Sequence, residues 1–142
     1  MGTPDVEQAV EDDRRRKRPL DGVRILAVEQ MAALPFATQL LARLGAEVVK
    51  VEHPTTGDSG RGSHPAVADP DGRPVGATLL RNNLNKRTLP IDLTQPEDLD
   101  LVLPLAPRFD AFVETYRPGT ADRHRLSLEA VRAAPPPHPP PP

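Results

Sequence analysis

The sequence predicts an α/β fold, an open Rossmann-like parallel sheet with flanking helices, and three observations carry that prediction. Residues 23–28, VRILAV, are β-rich and almost continuously apolar, as in a strand covered on both faces. Residues 40–54, LLARLGAEVVKVEHP, close an amphipathic helix at Gly45 and enter a second such strand, EVVKVE. Two further β-rich segments, RTLPIDL at 87–93 and AFVE at 111–114, lie on either side of a helical stretch. Strands alternating with helices define parallel βαβ units with right-handed crossovers. In such sheets ligands gather beyond the carboxyl ends of the strands, which puts Lys50, Glu52 and His53 at or near a ligand-bearing tip.

Each element follows from local signals. Residues 1–18 hold almost no apolar side chains and end in Arg14, Arg15, Arg16, Lys17 and Arg18, so they are expected to form a solvated, disordered leader. In the first helix Phe36, Leu40, Leu41 and Leu44 recur at helical spacing, Pro35 suits the first turn and Gly45 the C-terminal cap. Residues 53–76 are rich in Gly, Pro, Asp, Ser and Thr without a period, which reads as a long functional or mobile loop. Pro90 inside the third strand directs it to an edge or a bulge.

Thr94 and Glu97 have capping-box spacing ahead of Leu99, Leu101, Val102, Leu103 and Leu105, predicting a helix of about four to five turns that ends or bends at Pro104. Ser127 caps a last short helix. Residues 135–142 are proline except for His138, an extended tail that cannot pack. The expected organisation is a leader at 1–18, a domain at 19–134 and the tail at 135–142.

Composition narrows the function classes. A chain of 142 residues allows one domain, and with aromatics at 3% its core depends on Leu, Val, Ile and Ala. The formal charge of -2 gives no overall attraction to nucleic acid or anionic membrane. Cysteine is absent, which excludes disulfides, thiolate metal sites and cysteine nucleophiles, and the four histidines lack metal-like spacing. No apolar run approaches the roughly 20 residues needed to span a bilayer, so a cytoplasmic protein is expected.

Neither G-x-G-x-x-G nor G-x-x-x-x-G-K is present. The segment GDSGRG at 57–62 either cradles a phosphate with backbone amides and Arg61 or is a flexible loop. Asp69, Asp71 and Gly72 lack the later ligands of a calcium loop. RNNLNKR at 81–87 and YRPGTADRHR at 116–125 cluster amides, cations and one aromatic ring, suited to a nucleotide or to closing a strand.

Taken in order, LDGVRILAVEQMAALPFATQLLARLGAEVVKVEHP, GDSGRG, RNNLNKRTLPIDL and VETYRPG resemble the start of the class III coenzyme A transferases, the family of formyl-CoA transferase, carnitine-CoA transferase and α-methylacyl-CoA racemase, over about residues 20–132. The resemblance implies a CoA-binding N-terminal portion, with acyl-CoA and a carboxylic acid as substrates, coenzyme A as carrier, no metal, and an interlinked homodimer. It also implies covalent catalysis by an aspartate that forms an anhydride and then a CoA thioester. That aspartate is expected beyond the point where this sequence turns to proline, so the segment is expected to be an incomplete, inactive portion, and no residue here takes the role.

Residue by residue, the resemblance implies CoA contacts at Ala32 and Ala33 after the first strand, with Leu34 where a glycine is common. It implies a phosphate-facing position at His53 in place of arginine, and contacts at Asn85, Lys86, Arg87 and Ile91. Thr115 and Tyr116 stand for asparagine and phenylalanine, keeping an aromatic platform, and Arg123 keeps a basic position. The rival expectations are a portion of an α-methylacyl-CoA racemase, which deprotonates an α-carbon, and a noncatalytic binding or dimerisation module.

Overall fold

Four short strands align side by side because their near-continuous apolar residues need cover on both faces. The structure, a computed structural model, describes residues 17–135. The leader and the tail fall almost wholly outside the described residues. Strands β1 (Arg24–Val28), β2 (Glu47–Glu52), β5 (Lys86–Pro90) and β6 (Ala111–Glu114) form one sheet in the order β5-β2-β1-β6, with every pairing parallel. Val28 stands opposite Val51 on one side and Glu114 on the other, which brings three strand ends level.

Alternation along β1 divides the core. Leu26 and Val28 join Val51, Ile91, Leu99, Val102 and Leu126 on one face, while Ile25 and Ala27 join Ala42, Ala46 and Val48 on the other. Helix α1 (Ala33–Arg43) contributes Ala42 to the second face. The first is covered by α3 (Pro96–Val102), through Leu99 and Val102. Both faces are therefore roofed, as the parallel sheet requires.

Of Phe36, Leu40, Leu41 and Leu44, the apolar residues at helical spacing along α1, Leu41 alone packs against the second core face. Pro35, Thr38, Gln39 and Ala42 are buried, while Phe36, Leu40 and Leu44 are 41–48% exposed. The sheet below admits only small residues at the closest approach, and a buried ion pair beside β1 draws Thr38 inward. An apolar stripe is left on the outside.

Residues 53–76 are more ordered than a loop. They contain a 3-10 turn at Ser59–Gly62 and a hairpin of β3 (Ala66–Ala68) with β4 (Pro74–Gly76), followed directly by α2 (Ala77–Asn82). The hairpin turn is closed by Asp69, whose Oδ1 accepts from the Asp71 and Arg73 amides at 2.9 and 2.8 Å, so the faint calcium-loop pattern is turn chemistry. β5 does lie at the sheet edge, and it ends at Pro90.

The Thr94–Glu97 capping box does not form. Pro96 opens α3, which moves the cap to Gln95, and the Thr94 hydroxyl binds Asp92 at 2.7 Å. The helix is seven residues long, shorter than the sequence suggests, and passes into a 3-10 segment, Leu103–Arg108, where Pro104 and Pro107 lack the amides an α-helix needs. Short helices α4 (Thr120–Arg123) and α5 (Leu128–Ala133) follow β6, and Ser127 caps α5 by accepting from the Ala130 amide at 3.1 Å.

Gly45 links α1 to β2 with φ at 114°, and a Cβ there would lie 2.5 Å from Asp21 Oδ1 and 2.9 Å from Arg18 Cβ. Both the backbone and the space demand glycine. Gly45→Ala is expected to destabilise the domain by about 1–3 kcal/mol, read as a lower urea midpoint at unchanged slope.

Candidate functional site

The strand order reverses at β1: β2 lies to one side and β6 to the other, and the chain leaves their carboxyl ends in different directions. A crevice opens there, as expected of a topological switch point. It measures about 520 Å³ and is walled by the segment Val28 to Ala33, by Val51 and Leu93, and by Thr115 and Tyr116. Sequence positions almost ninety apart thus face each other because β1 and β6 pair.

Tyr116 supplies the crevice with an aromatic surface. Its ring stacks on His124 at a centroid distance of 5.2 Å and an interplanar angle of 27°. His124 Nδ1 lies 2.9 Å from the Leu93 carbonyl, which can only accept, so the proton sits on Nδ1. Burial, together with the nearby Glu114 carboxylate, raises the Tyr116 phenol above its usual value, keeping it neutral at physiological pH. Glu114 also accepts the Tyr116 amide, which fixes the turn after β6.

The opposite wall rests on buried charges. Glu29, 2% exposed, follows β1 and binds Lys86 Nζ at 2.5 Å, with the Thr38 hydroxyl 2.8 and 3.0 Å from its two oxygens. Lys86 also donates to the Pro35 carbonyl at 2.8 Å, and burial lowers its pKa against the raising influence of Glu29. Next to it, Lys50 on β2 is 1% exposed and donates to Asp58 and to Asn83 Oδ1 at 2.9 Å, with Glu52 at 3.6 Å. Asp58 further accepts from the Gly60 and Met31 amides at 2.6 and 3.1 Å. Burial pushes the Asp58 carboxyl upward, but Lys50 and the two amides outweigh it and hold the group below the ordinary carboxylate range.

The wall includes one residue in an unfavourable conformation. Met31 has φ at 65°, the left-handed region that costs a non-glycine residue about 1–2 kcal/mol. Its amide is held by Asp58, and its carbonyl accepts from Asn82 Nδ2 at 3.2 Å. Asn82 is fully buried.

Of the residues expected at a ligand site, Ala32, Ala33, Thr115 and Tyr116 meet in this crevice. His53 lies in a separate cleft of about 380 Å³ beyond β2 and β5, beside Arg61, Arg73 and Thr88. There it contacts Asp92 at 3.4 Å, and its Nδ1 accepts from the Thr55 and Thr56 amides at 3.2 Å each. Ile91 belongs to the core, 4% exposed. Asn85 is exposed in a left-handed turn, Arg87 reaches back to Glu47 at 2.9 Å, and Arg123 is exposed with its guanidinium 2.7 Å from the Thr120 hydroxyl.

Lys50 and Glu52, expected at a ligand-bearing tip, are instead buried scaffold groups, Glu52 pairing with Arg61 at 2.9 Å. GDSGRG is an ordered turn whose Gly60 amide points to Asp58. Glu29, Met31 and Asp58 escaped sequence reasoning, while Asn82, read with RNNLNKR as a ligand-facing amide, and His124, within YRPGTADRHR, are a buried donor to the Met31 carbonyl and the stacking partner of Tyr116. The alternating polar residues of RNNLNKR were the available signal, but their partners lie on distant elements. Among the described residues no group of three or more His, Asp or Glu side chains is placed to hold a metal ion, and no helix is long and apolar enough to cross a membrane.

The fold is an open α/β domain of the doubly wound type, with a crevice at its switch point. The chain belongs to CoA-transferase family III, whose description matches residues 20–137. It is 40% identical over 113 residues to the succinyl-CoA:mesaconate CoA-transferase of Haloarcula hispanica, covering 80% of this chain and 28% of that protein. It is 43% identical over 124 residues to the succinyl-CoA–D-citramalate CoA-transferase of Chloroflexus aurantiacus, covering 84% and 29%. The crystal structure of a CAIB/BAIF family protein from Brucella suis superposes with a TM-score of 0.76 at 31% identity, over 84% of this chain and 31% of that one. The chain therefore spans less than a third of the length of these relatives.

Asp58→Ala leaves the Lys50 ammonium buried without its main partner, at an expected cost of about 3–5 kcal/mol at pH 7. Because the folded-state pKa of Asp58 is lowered, its contribution is present above the unfolded value of 3.8 and is lost as pH falls through the folded one. Chemical denaturation across pH is expected to show wild type and variant converging in acid; a constant difference would contradict the assignment.

Proposed function

We propose that this chain forms the CoA-binding part of a family III CoA-transferase site, with the nucleotide end of an acyl-CoA seated in the switch-point crevice. The observation that carries this reading is Tyr116, a half-buried aromatic face backed by His124 and opposed by the small residues Ala32 and Ala33. An adenine ring stacks on such a face while alanines opposite allow close approach of the rest of the cofactor. Thr115 and Gln30 offer hydrogen-bonding groups at the rim. Lys86 serves the site from within, by neutralising Glu29 in the crevice wall.

In the reaction we infer for the complete site, an aspartate carboxylate attacks the thioester carbonyl and expels CoA thiolate, leaving an acyl-aspartyl anhydride. The thiolate then attacks the aspartyl carbonyl and releases the donor acid. The acceptor carboxylate displaces the thiolate again, and the thiolate finally takes the acceptor acyl group, regenerating the aspartate. No aspartate is among the residues that wall this crevice, and in this reading none of residues 17–135 takes the nucleophile's role. What residues 17–135 supply is binding and orientation of the carrier.

Calorimetry with CoA tests this directly. Saturable binding is expected, weakened about 5-fold or more by Tyr116→Ala, since base–aromatic stacking contributes about 1–3 kcal/mol. Failure of a cooperatively folded sample to bind CoA would overturn the reading.

A further inference from the structure

We propose that Asp58 and Asn82 are positioning residues for the crevice, acting through Met31. This inference rests on the CoA reading above and adds the device that shapes the site. Met31 lines the crevice and is 46% exposed, yet its backbone is left-handed, a conformation its side chain gives no reason to adopt. Both polar groups of the residue are clamped by side chains from other elements. The amide donates to Asp58, which precedes the 3-10 turn, and the carbonyl accepts from Asn82 at the end of α2.

The two clamping groups are themselves fixed. Asp58 is 2% exposed and tied to Lys50 and the Gly60 amide, and Asn82 is fully buried. Releasing Met31 would let residues 30–33 relax toward ordinary backbone conformations, moving Ala32 and Ala33, the start of α1, relative to Tyr116. The clamp thus pre-organises one wall against the other, and every molecule in a relaxed conformation is lost to binding. The polar residues of the loop and of α2 act on the ligand without touching it.

The test compares residue 31 as Met, Gly and Val, each with Asn82 or with Asn82→Ala. Glycine and valine both remove the methionine side chain, but only glycine adopts the left-handed conformation without penalty. CoA affinity by calorimetry is expected to be about 5- to 30-fold weaker for Met31→Val than for Met31→Gly. Asn82→Ala is expected to weaken binding at least 5-fold with methionine at position 31 and less than 2-fold with glycine. Equal losses in both backgrounds, or equal affinities for the Gly and Val proteins, would overturn the proposal.

If Asn82→Ala fails to fold, the exposed-position Gly and Val pair decides alone. Amide exchange at residue 31 separates this proposal from the CoA reading, because it needs no ligand. Protection is expected in wild type and Met31→Gly, lost in Asn82→Ala and kept in the double variant. No CoA binding by a protein with that exchange pattern would sink the CoA reading and leave the clamp standing as a structural device; absence of the pattern would sink the clamp.

Discussion

The buried contact between Lys50 and Asp58 is the constraint on which the architecture beyond the sheet depends. An ammonium 1% exposed in the middle of a parallel strand is tolerable only if a charge and further acceptors meet it there. Asp58 provides the charge, Asn83 the second acceptor and Glu52 the nearby countercharge. Those groups come from β2, from the segment after it and from the end of α2. Satisfying one lysine therefore draws residues 53–83 over the strand tips and turns a Gly- and Pro-rich stretch into an ordered flap.

A second pair, Glu29 with Lys86, does the same for α1. The helix must offer polar groups to the ion pair buried at the end of β1: the Thr38 hydroxyl donates to Glu29, and the Pro35 carbonyl accepts from Lys86. Rotating the helix to bury Phe36, Leu40 and Leu44 would take Thr38 away from Glu29 and leave that ion pair short of partners. A buried charge left short of its partner costs about 3–5 kcal/mol. The observed orientation keeps the pair satisfied, with Leu41 packed against the core and Phe36, Leu40 and Leu44 facing outward.

This explains which parts of the structure were legible in sequence. The sheet was legible because VRILAV and EVVKVE are dense apolar runs with a glycine-capped helix between them, and Pro90 correctly marked an edge. The face of α1 was misread because periodicity counts apolar side chains and does not see the buried pair beneath. The capping box at Thr94 failed because Pro96, a stronger helix opener, displaced the cap by one residue. At the site, Ala32, Ala33, Thr115 and Tyr116 were reached through the family resemblance, whereas the rule that ligands gather at strand tips pointed to Lys50 and Glu52, which are buried scaffold groups. The link among Met31, Asp58 and Asn82 was not legible, since it depends on hydrogen bonds 27 and 51 positions apart.

The crevice inherits a property from this construction. One wall follows β1 and the other follows β6, and nothing in the local chain brings them together except the register that sets Val28 opposite Glu114. The site exists only when the last strand has docked, so a ligand that spans both walls must stabilise the docked state by mass action. The buried ion pairs act in the opposite sense on cost: they are unfavourable until all partners arrive, which makes partly assembled forms poor and assembly cooperative. A ligand held between the two walls would therefore couple its binding to folding through β6, and the most informative substitutions are those that alter the clamp at Met31 while leaving the sheet intact.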